Sequence, residues 1–481
     1  MTSLKPYPSY RYSSQEWLDK TPSHWCILKL KHAGISVFGG ATPRSDDHAN
    51  WDGDIVWVTP EDVSRTDRIR SSKRTLTTTG LDSCSARLAP EGSVVLNSRA
   101  PIGNVAVAQV PLATNQGCKA LVPNRSRLMS RYLFRLLSAA KEELQSRGTG
   151  TTFQELSTSD VSAFEAPVPP LEEQRAIADF LDVMDARISR YIAAKHRMIA
   201  LLEEQKQAII KQAVTRGLDP DVPLKPSGVE WLGDIPAHWE LKSVSSLTTM
   251  LQTGPFGSQL PASDYIDGGI PLINPSHIGD GTIIPSGSVA VSEITGERLS
   301  RHRFLENDIV LARRGEIGRC AVISSYEEGW LCGTGSILIR PNRAKILPEF
   351  LQLVLSNSSL ADWLILESAG ATMSNLNTSL VGLIRLGVPP IAEQVAIMTW
   401  SHQIQNRIKV GIRSVQAQIQ TVGEYRTRLI SDVVTGMLDV RGVELAAVEE
   451  YVDAGIEGML DDEASDATEE SEEESNGSPL G

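Results

Sequence analysis

The sequence predicts an α+β protein. Two tandem mixed α/β domains are joined and separated by two long helices packed as an antiparallel coiled coil, and an acidic disordered tail follows. Three observations lead there. One large unit occurs twice in the 481 residues. Each copy opens with short apolar runs between turn residues, the pattern of strands. Each copy closes with a heptad-like stripe long enough for some 45 helical residues, about 65–70 Å at ~1.5 Å per residue.

The repeat organises everything else. "PSHWCILKL" (22–30) pairs with "PAHWELKSV" (236–244), and "PEGSVVLNSRAPIGNVAV" (90–107) with "LENDIVLARRGEIGRCAV" (305–322). "SRYLFRLLS" (130–138) resembles "LPEFLQLVLS" (347–356), and "AVTRGLDPDV" (213–222) resembles "VVTGMLDVRG" (433–442). "VPPLEEQRAI" (168–177) returns as "VPPIAEQVAI" (388–397), 220 residues later. The unit is too long for a solenoid, whose periods run ~20–50 residues. It divides the chain into a first α/β domain (1–168), a helix (169–217), a second α/β domain (218–388), a second helix (389–437) and the tail (444–481).

Within the first domain, "DIVWVTP", "SVVLNS", "NVAVAQV" and "ALVP" read as strands; within the second, "IPLINP", "DIVLARR", "CAVIS" and "SILIRP" do. Together they suggest a curved, partly barrel-like sheet. Amphipathic pieces near 130–145 and 348–366 read as helices. Trp25 and Trp239, at matching "HW" positions, read as core residues. The Pro-Pro pairs end the last extended segment of each domain, and Glu172 and Glu173 suit the positive N-terminal end of the helix that follows. Its seam includes Ile177, Leu181, Ile188 and Leu202, with Lys195 and Gln205 as polar interruptions that fix register. The second stripe offers Ile404, Ile408, Val415 and Leu429, weakened by Ser401 and Gly411. Two such stripes bury best against each other. Thr149–Thr152 and Thr372–Asn375 precede the helices and suit either a DNA-facing surface or, as the favoured reading, a turn that holds the helix start.

Composition narrows the function. Hydrophobic content of 41% suffices for real cores, and no apolar run approaches the ~18 residues of a membrane span. The N-terminus lacks the apolar core of a signal peptide. Five scattered cysteines without a C-x-x-C suit a reducing cytosol, so a cytoplasmic protein is expected. The net charge of −13 is uneven. Residues 444–481 hold fourteen of the 59 acidic residues and no Lys or Arg, leaving 46 basic against 45 acidic side chains, a net +1, in residues 1–443. The tail's last stretch, "DDEASDATEESEEESNGSPLG", repels itself and is low in apolar residues, hence the expected disorder. Catalytic motifs are missing: there is no P-loop, no G-x-S-x-G, no H-x-x-x-H and no Asn/Asp-Pro-Pro-aromatic box.

Two variable α+β domains, each followed by a long helix introduced by "PP(L/I)xEQxxI", resemble the specificity subunit of a Type I restriction–modification enzyme. The likeness covers residues 15–443. It implies a noncatalytic chain with no cofactor of its own. Each domain would be a target recognition domain reading one half of a bipartite double-stranded DNA target, and the helices would set the spacing and dock methylation subunits, two being expected. Those partners would bring S-adenosylmethionine chemistry, and restriction subunits ATP and Mg; no membrane is involved. A protein-only coiled-coil adaptor and a self-sufficient modification enzyme are the competing readings.

Base readout favours Arg or Lys on guanine and Asn or Gln on adenine, from loops or helices in the major groove. In the first domain the candidates are Arg44 after "GGATP", Asn97 and Arg99 in "LNSRAPIGN", and Asn115, Gln116 and Lys119 in "TNQGCK". In the second they are Gln259 after "TGPFGS", Asn274 and His277 in "INPSH", and Arg313, Arg314 and Arg319 in "ARRGEIGR". The repeat makes Asn97–Arg99 equivalent to Ala312–Arg314. Carboxylate pairing and phosphate contact are the competing roles for these arginines.

Overall fold

The computed structural model describes residues 5–15, 17–149, 154–279, 281–315, 317–368 and 376–443. The acidic tail, Thr151 and Thr152, and Thr372–Asn375 therefore lie outside the described residues. The chain forms two compact units: unit 1 comprises residues 1–195 and 417–481, and unit 2 residues 196–416. This division cuts through both long helices, so each unit owns one half of each.

Unit 1 holds two main sheets instead of the single curved one expected. A five-stranded sheet has the order Ile35–Gly39, Cys118–Pro123, Val94–Asn97, Val105–Ala108, Arg68–Ile69, and a three-stranded sheet the order Leu112–Thr114, Trp51–Val58, Arg74–Leu76. Strand Val94–Asn97 is wholly buried. Its unbroken apolar run reflects cover on both faces. Val94, Leu96, Val105 and Leu121 face one core with Tyr132, Leu133 and Leu136 of helix α1 (Ser130–Ala139). The alternate residues Val95, Ala106 and Ala120 face a second core with Val58, Val63 and Leu112.

Unit 2 repeats the scheme. Thr248–Thr253, Ser336–Pro341, Ile309–Ala312 and Cys320–Val322 form one sheet; Tyr265–Ile266, Ala290–Val291, Ile270–Ile273 and Leu331–Cys332 form the other. Ile309, Leu311 and Ile337 face a core, while Val310, Ala312 and Leu338 face another.

The long helices are α2 (Leu171–Arg216) and, after the shorter α3 (Pro348–Leu355), α4 (Ile391–Val434). The structure gives the repeated Pro-Pro-x-x-Glu-Gln phrase a specific job. In unit 1 Glu173 is buried and accepts hydrogen bonds from His24 Nε2 (2.7 Å) and Trp25 Nε1 (2.9 Å). Gln174 accepts from the Met129 N–H (2.8 Å) and donates to the carbonyls of Arg127 (2.9 Å) and Pro169 (2.8 Å). In unit 2 Glu393 accepts from His238 Nε2 (2.8 Å) and Trp239 Nε1 (3.1 Å). Gln394 accepts from Leu347 N–H (2.8 Å) and donates to Lys345 (3.3 Å) and Pro389 (2.9 Å) carbonyls. Helix-dipole compensation thus falls to exposed Glu172, whereas Glu173 ties the helix to the buried indole.

The far end of each helix lies against the tryptophan that anchors the start of the other one. α2 ends at Gly217 (φ +77°) and α4 at Gly436 (φ +80°), left-handed positions suited to glycine. A Cβ on Gly436 would stand 2.3 Å from Pro22 Cδ and 2.9 Å from the Trp25 ring.

Pairing of the helices is antiparallel inside each unit. In unit 1 Arg426 Nε donates to Asp185 (2.6 Å), and Tyr191 to Gln418 (3.4 Å). In unit 2 Gly411 lies against Leu202. Ile177, Leu181, Ile188, Val415 and Leu429 are buried. Leu202, Ile404 and Ile408 are only half covered, because two helices alone cannot enclose a seam on all sides. Gln205 is exposed, so it does not interrupt a buried seam; Lys195 lies over the Tyr191 ring instead (5.1 Å).

Candidate nucleic-acid interface

Asn97 and Lys119 lie at the ends of strands Val94–Asn97 and Cys118–Pro123, and the other candidates sit on loops and turns. One backbone frame holds these loops in both units. In unit 1 the Ser98 N–H donates to Gly117 O (2.8 Å) and the Leu156 N–H to Ser98 O (2.8 Å). In unit 2 the Arg313 N–H donates to Gly335 O (2.8 Å) and the Leu376 N–H to Arg313 O (2.9 Å). Asn115 N–H donates to Val58 O (2.8 Å) as Gly333 N–H does to Ile273 O (2.9 Å). Ser98, Gly117 and Leu156 therefore correspond to Arg313, Gly335 and Leu376, and Arg99 to Arg314. Gly40 and Gly254 let the preceding loop pass close by: a Cβ would stand 2.0 Å from Asn115 O and 1.9 Å from Gly333 O, respectively.

In unit 1 the frame brings Asn97, Arg99, Asn115, Gln116 and Lys119 together, but not for one purpose. Asn97 is fully buried, donating to Pro101 O (2.8 Å) and accepting from the Arg99 N–H (3.3 Å). It shapes the loop and cannot reach a base. Lys119, with only 8% of its side chain exposed, pairs with Glu155 (3.3 Å) and is likewise internal. Arg99 is half exposed and bonds the same carboxylate through Nε (2.9 Å). Burial raises the Glu155 pKa, but the bonds from Arg99 and Lys119 outweigh it and hold the carboxyl below its ordinary value. Asn115 accepts from Gly117 N–H (2.9 Å) to close its turn. Gln116 is exposed and accepts from Thr42 Oγ1 (2.5 Å), which links it to the Arg44 loop. Arg44 itself points outward, paired only with exposed Asp46 (3.0 Å).

In unit 2 His277 is largely buried with Nδ1 3.0 Å from Leu272 O and 3.3 Å from the Asn274 N–H, so that nitrogen shapes a turn. Asn274 begins that turn, half-buried. Arg313 is half-buried and donates through Nε to Leu376 O (2.5 Å), a loop tether. Arg314 is exposed, lies on Gly335, and has no side-chain hydrogen bond or ion pair among the described residues. Arg319 is exposed on the neighbouring turn, and Gln259 ends the turn Gly257–Gln259, its carbonyl accepting from Arg298 (2.7 Å). Sequence reasoning missed Thr42, Asp46, Trp51, Trp57 and Glu155. The indoles had a readable signal, two tryptophans six residues apart beside a Gly-Gly loop; Glu155 had none.

Two domains of similar build, each presenting loops with different side chains on a common backbone frame, define a twofold recognition protein. The chain belongs to the family of Type I restriction modification DNA specificity domains, which matches it over residues 22–195 and 236–415. It is 27% identical over 433 residues to the Type I restriction enzyme MjaIX specificity subunit of Methanocaldococcus jannaschii, covering 88% of this chain and 95% of that one. It is 24% identical over 303 residues to the EcoBI specificity subunit of Escherichia coli, covering 62% of each. A chain from a structural study of complex assembly and conformational transition in the type I R-M system shares the fold, with TM-score 0.62 at 18% identity over 87% of this chain and 99% of that one.

Proposed function

We propose that this chain is the noncatalytic DNA-recognition subunit of a Type I restriction–modification complex, each unit contacting one half of a bipartite duplex target. Family membership supports the role. The observation that carries the twofold reading is the shared loop frame, Ser98–Gly117–Leu156 against Arg313–Gly335–Leu376, on which the outward side chains differ. Unequal side chains on equal frames suit unequal half-sites. The exposed members Arg44, Gln116, Arg314 and Arg319, with half-exposed Arg99, are the ones placed to meet DNA; Asn97, Lys119 and His277 support them from inside.

In this reading S-adenosylmethionine is handled by methylation subunits, two per chain, and ATP and Mg by restriction subunits, all in the cytoplasm. The long helices hold the half-sites at one spacing. Mapping methylated adenines in cells that carry the chain and its methylation partner tests this. The expected result is a split motif of fixed spacing. Insertion of four residues into both α2 and α4 should lengthen the spacing while leaving both half-sites unchanged. An unchanged spacing would remove the helices from that role.

A further inference from the structure

We infer that Arg44 reads a guanine in the half-site contacted by unit 1, and that Asp46, Trp51 and Trp57 position it. This rests on the DNA-recognition reading above and adds a base, a residue and a mechanism to it.

The loop after strand Ile35–Gly39 is tied down by buried donors. Trp57 Nε1 donates to Ala41 O (3.0 Å), and Trp51 Nε1 (3.1 Å) and Asn50 Nδ2 (3.2 Å) both donate to Arg44 O. The two indoles meet edge to face with centroids 5.1 Å apart, and both residues are buried. The Arg74 guanidinium lies 3.5 Å over the Trp51 ring and closes its outer face. The backbone on both sides of Pro43 is thus fixed, while the Arg44 side chain remains 81% exposed. A mere connecting loop needs no such support; a loop that presents a side chain in one place does.

The side chain is also oriented. Asp46 takes Nε (3.3 Å) and Nη2 (3.0 Å), the side edge of the guanidinium. The remaining end edge, Nη1 with the second Nη2 proton, carries two parallel N–H groups at the spacing of guanine O6 and N7. A phosphate partner fits less well, because the carboxylates of Asp46 and Asp47 would stand beside it and repel it. A guanine edge carries no formal charge. The device is private to unit 1: a register that places Thr59 on Asn274 puts Ile266 and Leu272 where Trp51 and Trp57 stand. A residue that reads only one half-site must have no twin.

The test uses the full chain with its methylation partner, and methylated adenines are mapped for the natural chain and for Arg44→Lys, Asp46→Asn and Trp57→Phe. Lysine keeps the charge and loses the two-pronged edge. The natural motif should contain a G·C pair at which Arg44→Lys relaxes preference by about tenfold or more, with the other half-site and the spacing unchanged. Asp46→Asn and Trp57→Phe should relax the same position by less. The intact second half-site shows in the same experiment that each variant folds and assembles. Unaltered base preference in Arg44→Lys, or a uniform weakening across all sequences, would overturn the inference and leave the proposed function standing. So would a motif whose halves contain no G·C pair. A natural chain that directs no split motif would instead overturn the proposed function itself.

Discussion

Helix α1 of unit 1 and helix α3 of unit 2 occupy the same place in the repeat, yet they meet the long helices through opposite chemistry. In unit 1 Arg131 bonds Asp179 (2.8 Å) and Asp182, and Arg135 bonds Asp182 (2.9 Å) and Asp185 (3.1 Å), with Arg426 on Asp185 (2.6 Å). The matching positions in unit 2 are Glu349, Thr399, Leu353, His402, Gln405 and Lys206, and all but Thr399 line an open cleft of about 260 Å³. The glutamate and glutamine that start each long helix, by contrast, keep their histidine, tryptophan and backbone partners, although Glu173 alone also accepts from Tyr7 (3.2 Å). The lesson is that the repeat preserves the anchor between helix and domain, whereas the neighbouring layer carries a network of arginines and aspartates in one copy and a different set of side chains around a cleft in the other. Buried ion pairs suit specificity of packing more than net stability, so their presence in one copy only is not contradictory.

The largest effect should come from breaking the common anchor. Gln174→Ala leaves the Met129 N–H and two carbonyls without partners in a buried site, and Gln394→Ala does the same at Leu347. Each should destabilise its own unit by about 3 kcal/mol. Unit-resolved hydrogen exchange reads this. Losses below about 1 kcal/mol in either unit would mean that the anchor is not what the two copies share.

Next is the layer that differs. Arg135→Leu copies the residue of unit 2 but leaves Asp182 with Arg131 alone and Asp185 with Arg426 alone, and should cost about 2 kcal/mol. Adding Asp182→His and Asp185→Gln removes the two carboxylates that Arg135 served, copying His402 and Gln405 of unit 2, and should recover part of that loss. Chemical denaturation of the single and triple variants decides: if the triple variant is no better than the single, the two interfaces are not interchangeable solutions.

This contrast also marks what could be read from the sequence. The Pro-Pro-x-x-Glu-Gln phrase, the "HW" pair and the strand runs were legible because the chain states each of them twice, and repetition separates constraint from accident. Their joint purpose was not, since Glu173 and Trp25 are 148 residues apart and no local pattern pairs them. Nor could the sequence sort the loop candidates. Asn97 and Arg99 look equally suited to a base edge, but one lies inside the frame and the other at its rim. The half-covered seam at Leu202, Ile404 and Ile408 follows the heptad spacing and still fails to close, because burial depends on what surrounds the pair of helices.

The two units should also differ in acid. His302 in unit 2 is buried, accepts from Gln252 Nε2 (2.9 Å) and has its pKa lowered to about 4 by burial and by Arg301. The unfolded chain takes up a proton there near pH 6.5. Its contribution is therefore complete above pH 6.5 and fades as pH falls toward 4, reaching on the order of 2 kcal/mol lost at pH 5. Glu155 in unit 1 has a lowered pKa, so its contribution persists at pH 5 and fades only as pH falls through that lowered value. Unit 2 should soften first between pH 7 and 5, and His302→Asn should remove most of that difference. Equal softening of both units would show that another group controls it.

The smallest effect concerns the middle of the paired helices. Met198 and Leu201 are 45% and 56% exposed, whereas Ile177 near the helix start is completely buried. Removing a side chain that water already touches loses little transfer free energy and leaves no cavity. In the isolated chain Met198→Ala should therefore change stability by no more than about 0.5 kcal/mol, against about 3 kcal/mol for Ile177→Ala. The pair separates two roles for one heptad stripe. Its ends are domain core and its middle is surface, so a cost above about 1.5 kcal/mol for Met198→Ala would mean that the middle of the seam is covered in solution by something other than the two helices, and urea titration of the purified chain at two concentrations would show whether that cover is a second copy.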